Sequence, residues 1–289
     1  MYTCAIELKP REMASNIDHA VVDGFGDEWS RFDQHALPLA EWKALAEMYF
    51  DLLPWSTLPP HAIGFDLGCG SGRWAKYVAS RVGTLHCIDA SAAALGVARD
   101  GLAQQPNVQF HHASVDEIPL PDESQDFGYS LGVLHHVPDT GEGIRQAVAK
   151  LKPGAPFLVY LYYAFDNRPA WFRMIWRASD VLRRIISRLP HSARFGASQV
   201  IAALVYFPLA RAARLLELSG IDVELFPLAP YRHRSFYVMR TDALDRFGTR
   251  LEQRFTKEQI REMMTRAGLE RIAFSDRVLW GAIGWKRSA

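Results

Sequence analysis

Ile63-Gly64-Phe65-Asp66-Leu67-Gly68-Cys69-Gly70-Ser71-Gly72-Arg73-Trp74 decides the fold. The apolar run Ala62 to Phe65 reads as a buried strand. It ends in an acid, Asp66, followed by glycines at alternate positions, Gly68, Gly70 and Gly72, and a helical pattern from about Ser71. Glycine is required where a chain turns sharply or lets a ligand touch backbone, because a Cβ blocks both. A strand, a glycine turn and a helix start together place free N–H groups beside the crevice at the carboxyl end of the strand, where open α/β sheets hold their ligands. The spacing is not the dinucleotide pattern G-x-G-x-x-G. Nor is it a P-loop, since no Gly-Lys-Ser/Thr follows.

The 289 residues are 49% hydrophobic, enough for one large domain or a core with an insertion. A net charge of +1 gives the whole chain no field of the kind nucleic acid attracts. Cys4, Cys69 and Cys87 are widely spaced, with no metal-binding or disulfide pattern, and fit a reducing, cytoplasmic setting. The first dozen residues are too charged for a signal peptide, and no uncharged apolar run of about 18 residues predicts a spanning helix.

Thr84 to Asp89 reads as a second strand that again ends in an acid. A carboxylate there can accept both hydroxyls of a ribose. Ser91 is the expected N-cap of a helix reaching about Gln104. Val108 to His112, a segment ending near Ser130, and Pro156 to Leu161 are three further strands, with a helix over Gly141 to Leu151. Strand and helix alternate from 62 to 161, which argues a doubly wound parallel sheet. Before this core, residues 1–20 form a lead-in. Phe25, Trp29 and Phe32 then share one helical face, and residues 38–53 form an amphipathic helix.

After the fifth strand the pattern changes to two or three helices over 166–217. From Arg168 onward, Arg168, Arg173, Arg177, Arg183, Arg184, Arg188, Arg194, Arg211 and Arg214 face only Asp180 and Glu217. The apolar stretch Val200 to Ala210 either docks on the sheet or lies on an anionic membrane. Thr256-Lys257-Glu258-Gln259 opens a capped helix that stops at Gly268, followed by strands Leu269 to Phe274 and Val278 to Lys286.

The glycine turn resembles motif I of the class I S-adenosylmethionine (SAM)-dependent methyltransferases, of the type 11-like kind. Ala113-Ser114-Val115-Asp116-Glu117-Ile118-Pro119-Leu120-Pro121-Asp122 is similar to that family's adenine-binding segment, with Ser114 standing where an Asp is usual. Asp126 to Val137 is similar to its fourth strand, and Leu151-Lys152-Pro153-Gly154 to its helix end before strand five. The resemblance implies a Rossmann-like, doubly wound seven-stranded sheet, mostly parallel with an antiparallel C-terminal strand, plus a helical cap inserted after strand five. The implied domains are N-terminal helices or a flap over the cofactor (1–60), the SAM-binding core (61–165 and 250–289) and a helical substrate cap (166–249).

The resemblance also implies SAM as cofactor, with S-adenosyl-L-homocysteine (SAH) as product and no metal. The expected cofactor residues are Trp29, Asp66, Gly68, Cys69, Gly70, Gly72, Asp89, Ala90, Ser114, Val115, Asp116, Ser130 and Leu131. His135 and Tyr162 are the catalytic candidates. His135 reads either as a base or as a packed side chain, and Tyr162 either lines the acceptor site or belongs to the core. His136, Tyr160, Arg232, His233 and Tyr237 are candidates for the acceptor site, and the Tyr231-Arg232-His233-Arg234 cluster suits an acidic acceptor or a solvated loop. The implied activity is methyl transfer to an O or N atom of a small molecule under the cap. The other readings are a quinone or lipid acceptor, with the Arg-rich cap on an anionic membrane, and a SAM-binding regulator without catalysis. No nucleic-acid partner is expected.

Overall fold

The structure is a computed structural model that describes residues 15–166, 168–276 and 281–288. Cys4, the lead-in up to residue 14 and the expected strand start at 278–280 lie outside the described residues.

The N-terminal helices are α1 (His19–Arg31) and α2 (Leu39–Tyr49). The core then runs β1 (Ile63–Leu67), α3 (Ala75–Ala79), β2 (Thr84–Asp89), α4 (Ala92–Gly101), β3 (Val108–His112), β4 (Phe127–Leu131), α5 (Thr140–Lys150) and β5 (Pro156–Tyr160). Four helices follow: α6 (Ala170–Ile186), α7 (His191–Ile201), α8 (Phe207–Leu218) and α9 (Phe236–Gly248). The core resumes with α10 (Lys257–Arg266), β6 (Leu269–Phe274) and β7 (Gly281–Lys286).

The seven strands pair in the order β3-β2-β1-β4-β5-β7-β6, and β7 runs antiparallel to both neighbours. The Rossmann-like, mostly parallel sheet with one antiparallel C-terminal strand is therefore present. Alternate strand residues feed two cores. Phe65, Leu67, Phe157 and Val159 pack on one face with Ile144 and Met264. Phe127, Tyr129, Leu158 and Tyr160 pack on the other with Phe50, Tyr77 and Leu85. Tyr160 and Tyr162 share one face and Tyr163 the other, as strand alternation requires.

Local signals were accurate at several ends. The Ser91 hydroxyl accepts from the Ala94 N–H. Thr256 and Gln259 form the reciprocal capping box that opens α10. The helix expected from Ser71 is much shorter, since Ser71 to Trp74 are spent in the turn and only Ala75–Ala79 are α-helical.

The inserted helices hold the main surprise. The apolar stretch Val200 to Ala210 does not dock on the sheet. Ala202, Tyr206 and Ala210 pack against Met239, Ala243 and Phe247 of α9, while Val200, Leu204, Val205 and Phe207 face outward. Helices α7 and α8 join through one π-helical turn, Ala202–Tyr206, into a single helix His191–Leu218. By length and composition it is apolar enough to cross a membrane, contrary to the reading that no helix would be. Its few charges interrupt an uncharged run without making the helix polar.

Candidate functional site

The β1 turn is built by left-handed glycines. Gly68 has φ +81° and Gly70 has φ +54°, a region that side chains with a Cβ avoid. Space forbids a Cβ as well. One on Gly68 would lie 2.4 Å from Val133, and one on Gly70 would lie 2.8 Å from the Trp29 indole nitrogen. The turn is fastened from β2. The Ile88 carbonyl accepts from the Gly68 N–H at 2.7 Å, and the Asp89 carboxylate accepts from the N–H groups of Gly70 and Ser91, each at 2.8 Å.

This turn forms one end of a cavity of about 630 Å³. Its cofactor end is lined by Trp29, Gly68, Cys69, Gly70, Asp89, Ala90, Ser114, Val115 and Leu131, all expected from sequence. Four other expected residues do not line it. Asp66 is buried behind the turn with one carboxylate oxygen unpartnered. The Ser130 hydroxyl is buried and donates to the Leu67 carbonyl at 2.8 Å. Gly72 serves the turn itself, at φ +75°. Asp116 accepts from the Asn16 N–H at 2.6 Å and so holds the N-terminal segment. That segment and α1 cover the crevice: Asn16, Asp18 and Phe25 line the cavity, and Gly26 lies against Ser91.

The other end of the cavity lies between the sheet and the inserted helices. His136, Tyr160 and Tyr162 line it. His135 does not. It is fully buried and stacked between His136 and Tyr162, with ring centroids 4.0 and 3.9 Å away. Burial pushes its pKa well below the ordinary imidazole range. The imidazole at the cavity wall is that of His136, held at Nδ1 by the Leu251 carbonyl at 2.6 Å and lowered by burial to about 4.

Arg232 and His233 lie outside the cavity, where both pair with Glu217, at 2.8 and 2.7 Å, rather than with Asp242 or Asp245. Tyr237 also lies outside it, its hydroxyl accepting from the Gln34 N–H at 2.9 Å. From the cluster around them only Tyr231 and Arg234 reach the cavity.

Besides Asp18, the N-cap of α1, three acids that sequence did not assign to the site line it: Glu28, Asp242 and Asp245. Tyr162 donates its hydroxyl to one Asp245 oxygen, while the second, Oδ1, is buried, unpartnered and 3.8 Å from His136 Nε2. Burial pushes Asp242 and Asp245 each up to about 6. Burial, then the charges of Asp245 and Asp242, holds Glu28 well above its usual range. The signal was periodic: Glu28 falls on the apolar face of α1 with Phe25 and Phe32, and Asp242 and Asp245 on the face of α9 that carries Val238.

These acids make the empty protein sensitive to pH. Asp66, pushed up to about 8 by burial, Asp242 and Asp245 all have folded values above their unfolded ones. The stability they contribute is full below about pH 4 and is lost as pH rises through about 6 and then 8. Thermal unfolding of the protein should therefore show these groups lowering the midpoint between about pH 4 and about pH 8, and Asp66→Asn should flatten the part above about pH 6. A flat profile in the parent protein would show that these carboxyls titrate normally.

Residues 65–159 match the methyltransferase domain family described as Methyltransf_11. An uncharacterized methyltransferase of Mycobacterium tuberculosis is 28% identical over 129 residues, 44% of this chain and 65% of the relative. A ubiquinone biosynthesis O-methyltransferase of Alkalilimnicola ehrlichii is 36% identical over 128 residues, 44% of this chain and 51% of the relative. The chain thus spans less than two thirds of the length of either relative. Among solved structures, an O-methyltransferase family protein from Burkholderia thailandensis superposes with a TM-score of 0.52 at 14% identity, covering 93% of this chain and 60% of that one, a likeness of fold.

Proposed function

We propose that this chain, which has the core of the class I SAM-dependent methyltransferases, transfers a methyl group to an O or N atom of a small acceptor held between the sheet and the inserted helices. The observation that carries the reading is the single cavity joining the glycine turn to the Tyr162–Asp245 pair. A donor at one end and an acceptor at the other would share one enclosed space.

SAM is the cofactor of this core, and when bound it supplies a methyl already activated on a sulfonium. The cradle fits it. Backbone approaches the crevice closely at Gly68 and Gly70, the Asp89 carboxylate stands at the end of β2 for the ribose, and Val115 offers its backbone to the adenine side.

The remaining work is positioning and proton transfer. Asp245, at about 6, is largely ionised at neutral pH, and its free Oδ1 can take the proton of an acceptor hydroxyl or ammonium. Tyr162 holds the other oxygen and fixes the carboxylate's orientation. His136, neutral at pH 7, packs beside the pair. The Glu217 pairing of Arg232 and His233 takes those two out of any acceptor site, and at the cavity wall the acids stand beside Arg73, Arg234, Arg246 and Arg254, so a polar acceptor of either charge finds partners there.

A second reading, a quinone or lipid acceptor, draws on the exposed apolar residues of α6 and α8 and on the similarity to a ubiquinone biosynthesis O-methyltransferase. Incubating the protein with methyl-labelled SAM and the separated polar and lipid fractions of a cell extract tests both. Label in either fraction supports methyl transfer and chooses the acceptor class. Label in neither, with SAH binding intact, leaves the SAM-binding regulator as the function.

A further inference from the structure

Helix α6 buries a charge pair and exposes an apolar stripe. Its buried face carries Asp180 and Arg183, which pair at 2.7 Å, and Arg183 also donates to the carbonyls of Thr249 and Arg250 at 2.8 and 2.9 Å. Arg246 joins them, 3.7 Å from Asp180 and 2.8 Å from Glu252, so a network of charges fastens the helix to the body of the protein. Phe172, Trp176 and Ile186 also pack inward, but the rest of its large apolar residues face outward. Trp171, Met174, Ile175, Val181, Leu182 and Ile185 are between 42% and 67% exposed, and their spacing of three and four draws one continuous stripe. A helix that faces only water gains nothing from such a stripe.

Two further observations say what covers it. Arg173, Arg177, Arg184 and Arg188 recur at the same helical spacing along one flank of the stripe, and all four are exposed. The acids within α6–α8 are few: Asp180 is buried in the network and Glu217 is paired with Arg232 and His233. An apolar stripe with a cationic border complements an anionic bilayer surface. The His191–Leu218 helix adds Val200, Leu204, Val205 and Phe207 to the exposed apolar surface, while its packing on α9 ties it to the protein. Finally, the cavity opens in this surface. Ile175 and Leu182 of α6 and Val205 of the second helix line the cavity and are at the same time 53%, 44% and 43% exposed.

We propose that α6 and the His191–Leu218 helix lie on an anionic membrane and that an amphiphilic acceptor enters the cavity from the lipid between them. The inference rests on the methyl-transfer reading for what happens to that acceptor, but the docking itself does not. The apolar stripe sits at the headgroup boundary, the arginines meet the lipid phosphates, and an apolar acceptor reaches Tyr162 and Asp245 without crossing water.

The test is flotation of the full chain with vesicles of phosphatidylcholine alone or with phosphatidylglycerol added, at low and high salt. The variant is Met174→Glu/Val181→Glu/Ile185→Glu, three exposed residues that do not line the cavity. SAH affinity and thermal unfolding are measured on the same samples. The expected result is salt-sensitive binding to the anionic vesicles alone, weakened at least about tenfold in the triple variant, with SAH affinity unchanged. Failure of the parent chain to float, or equal flotation of the variant, overturns the docking. A chain that runs as a dimer, becomes monomeric in the variant and ignores vesicles also overturns it, and assigns the stripe to a second copy. Flotation without any SAH binding would instead keep the docking and remove the methyl-transfer reading.

Discussion

Replacing Asp89 with alanine is expected to lower the affinity for SAH by at least about 100-fold while the protein stays folded. In the proposed site the carboxylate accepts both ribose hydroxyls, and hydrogen bonds to a charged group contribute about 1.5–3 kcal/mol each. Two of them amount to two orders of magnitude or more, at about 1.4 kcal/mol per tenfold. The same carboxylate accepts from Gly70 and Ser91 at 2.8 Å, so its loss also loosens the turn. Calorimetric titration beside thermal unfolding separates the two effects. Asp89→Asn retains one acceptor oxygen and should fall between the parent and the alanine variant. An alanine variant that binds SAH within about threefold of the parent would remove Asp89 from the cofactor site.

The second large effect belongs to Asp245. With Asp245 proposed as the group that takes the acceptor's proton, its replacement by asparagine is expected to lower kcat by about 10²–10⁴-fold with SAH affinity unchanged. The pH profile gives the sharper readout. Because the Asp245 carboxyl is pushed up to about 6, the parent enzyme's activity should rise with pH through about 6 and level off above it, and Asp245→Asn should lose that limb. The Tyr162 hydroxyl stabilises the ionised carboxylate, so Tyr162→Phe should move the limb to higher pH while leaving it in place. A parent profile flat across this range, or an asparagine variant that keeps the limb, would assign the proton transfer elsewhere.

What could be read from sequence was what local chemistry determines. Asp66, Gly68 and Gly70 announced the turn because only glycine fits its φ values. Ser91 and the Thr256–Gln259 pair announced helix starts because a cap is a contact three residues long. Asp89 announced itself by ending a strand.

The rest of the site depends on contacts between distant elements. Tyr162 and Asp245 meet across 83 residues of sequence, and His136 reaches Leu251 across 115. Nothing local marks either pair, so His135, one residue from the wall, was read as the candidate base and His136 as an acceptor-site residue. Arg232 and His233 read either as an anion site or as a solvated loop, and Glu217 near the end of α8 pairs with both. Helix α6 shows the same limit in energetic form. Its helical character and its excess of arginines were legible, but the way it faces depends on Asp180, Arg183, Arg246 and Glu252, which come together only in the folded chain.

The central claim is that the β1 turn and the end of β2 form a SAM site that opens into the acceptor cavity. Calorimetric titration of the unmodified protein with SAH tests it most directly. The account predicts saturable one-to-one binding with a dissociation constant in the micromolar range, about −8 kcal/mol, and higher thermal stability in the complex. No binding of SAH or SAM at about 1 mM, where even an interaction of about −4 kcal/mol would register, would contradict it.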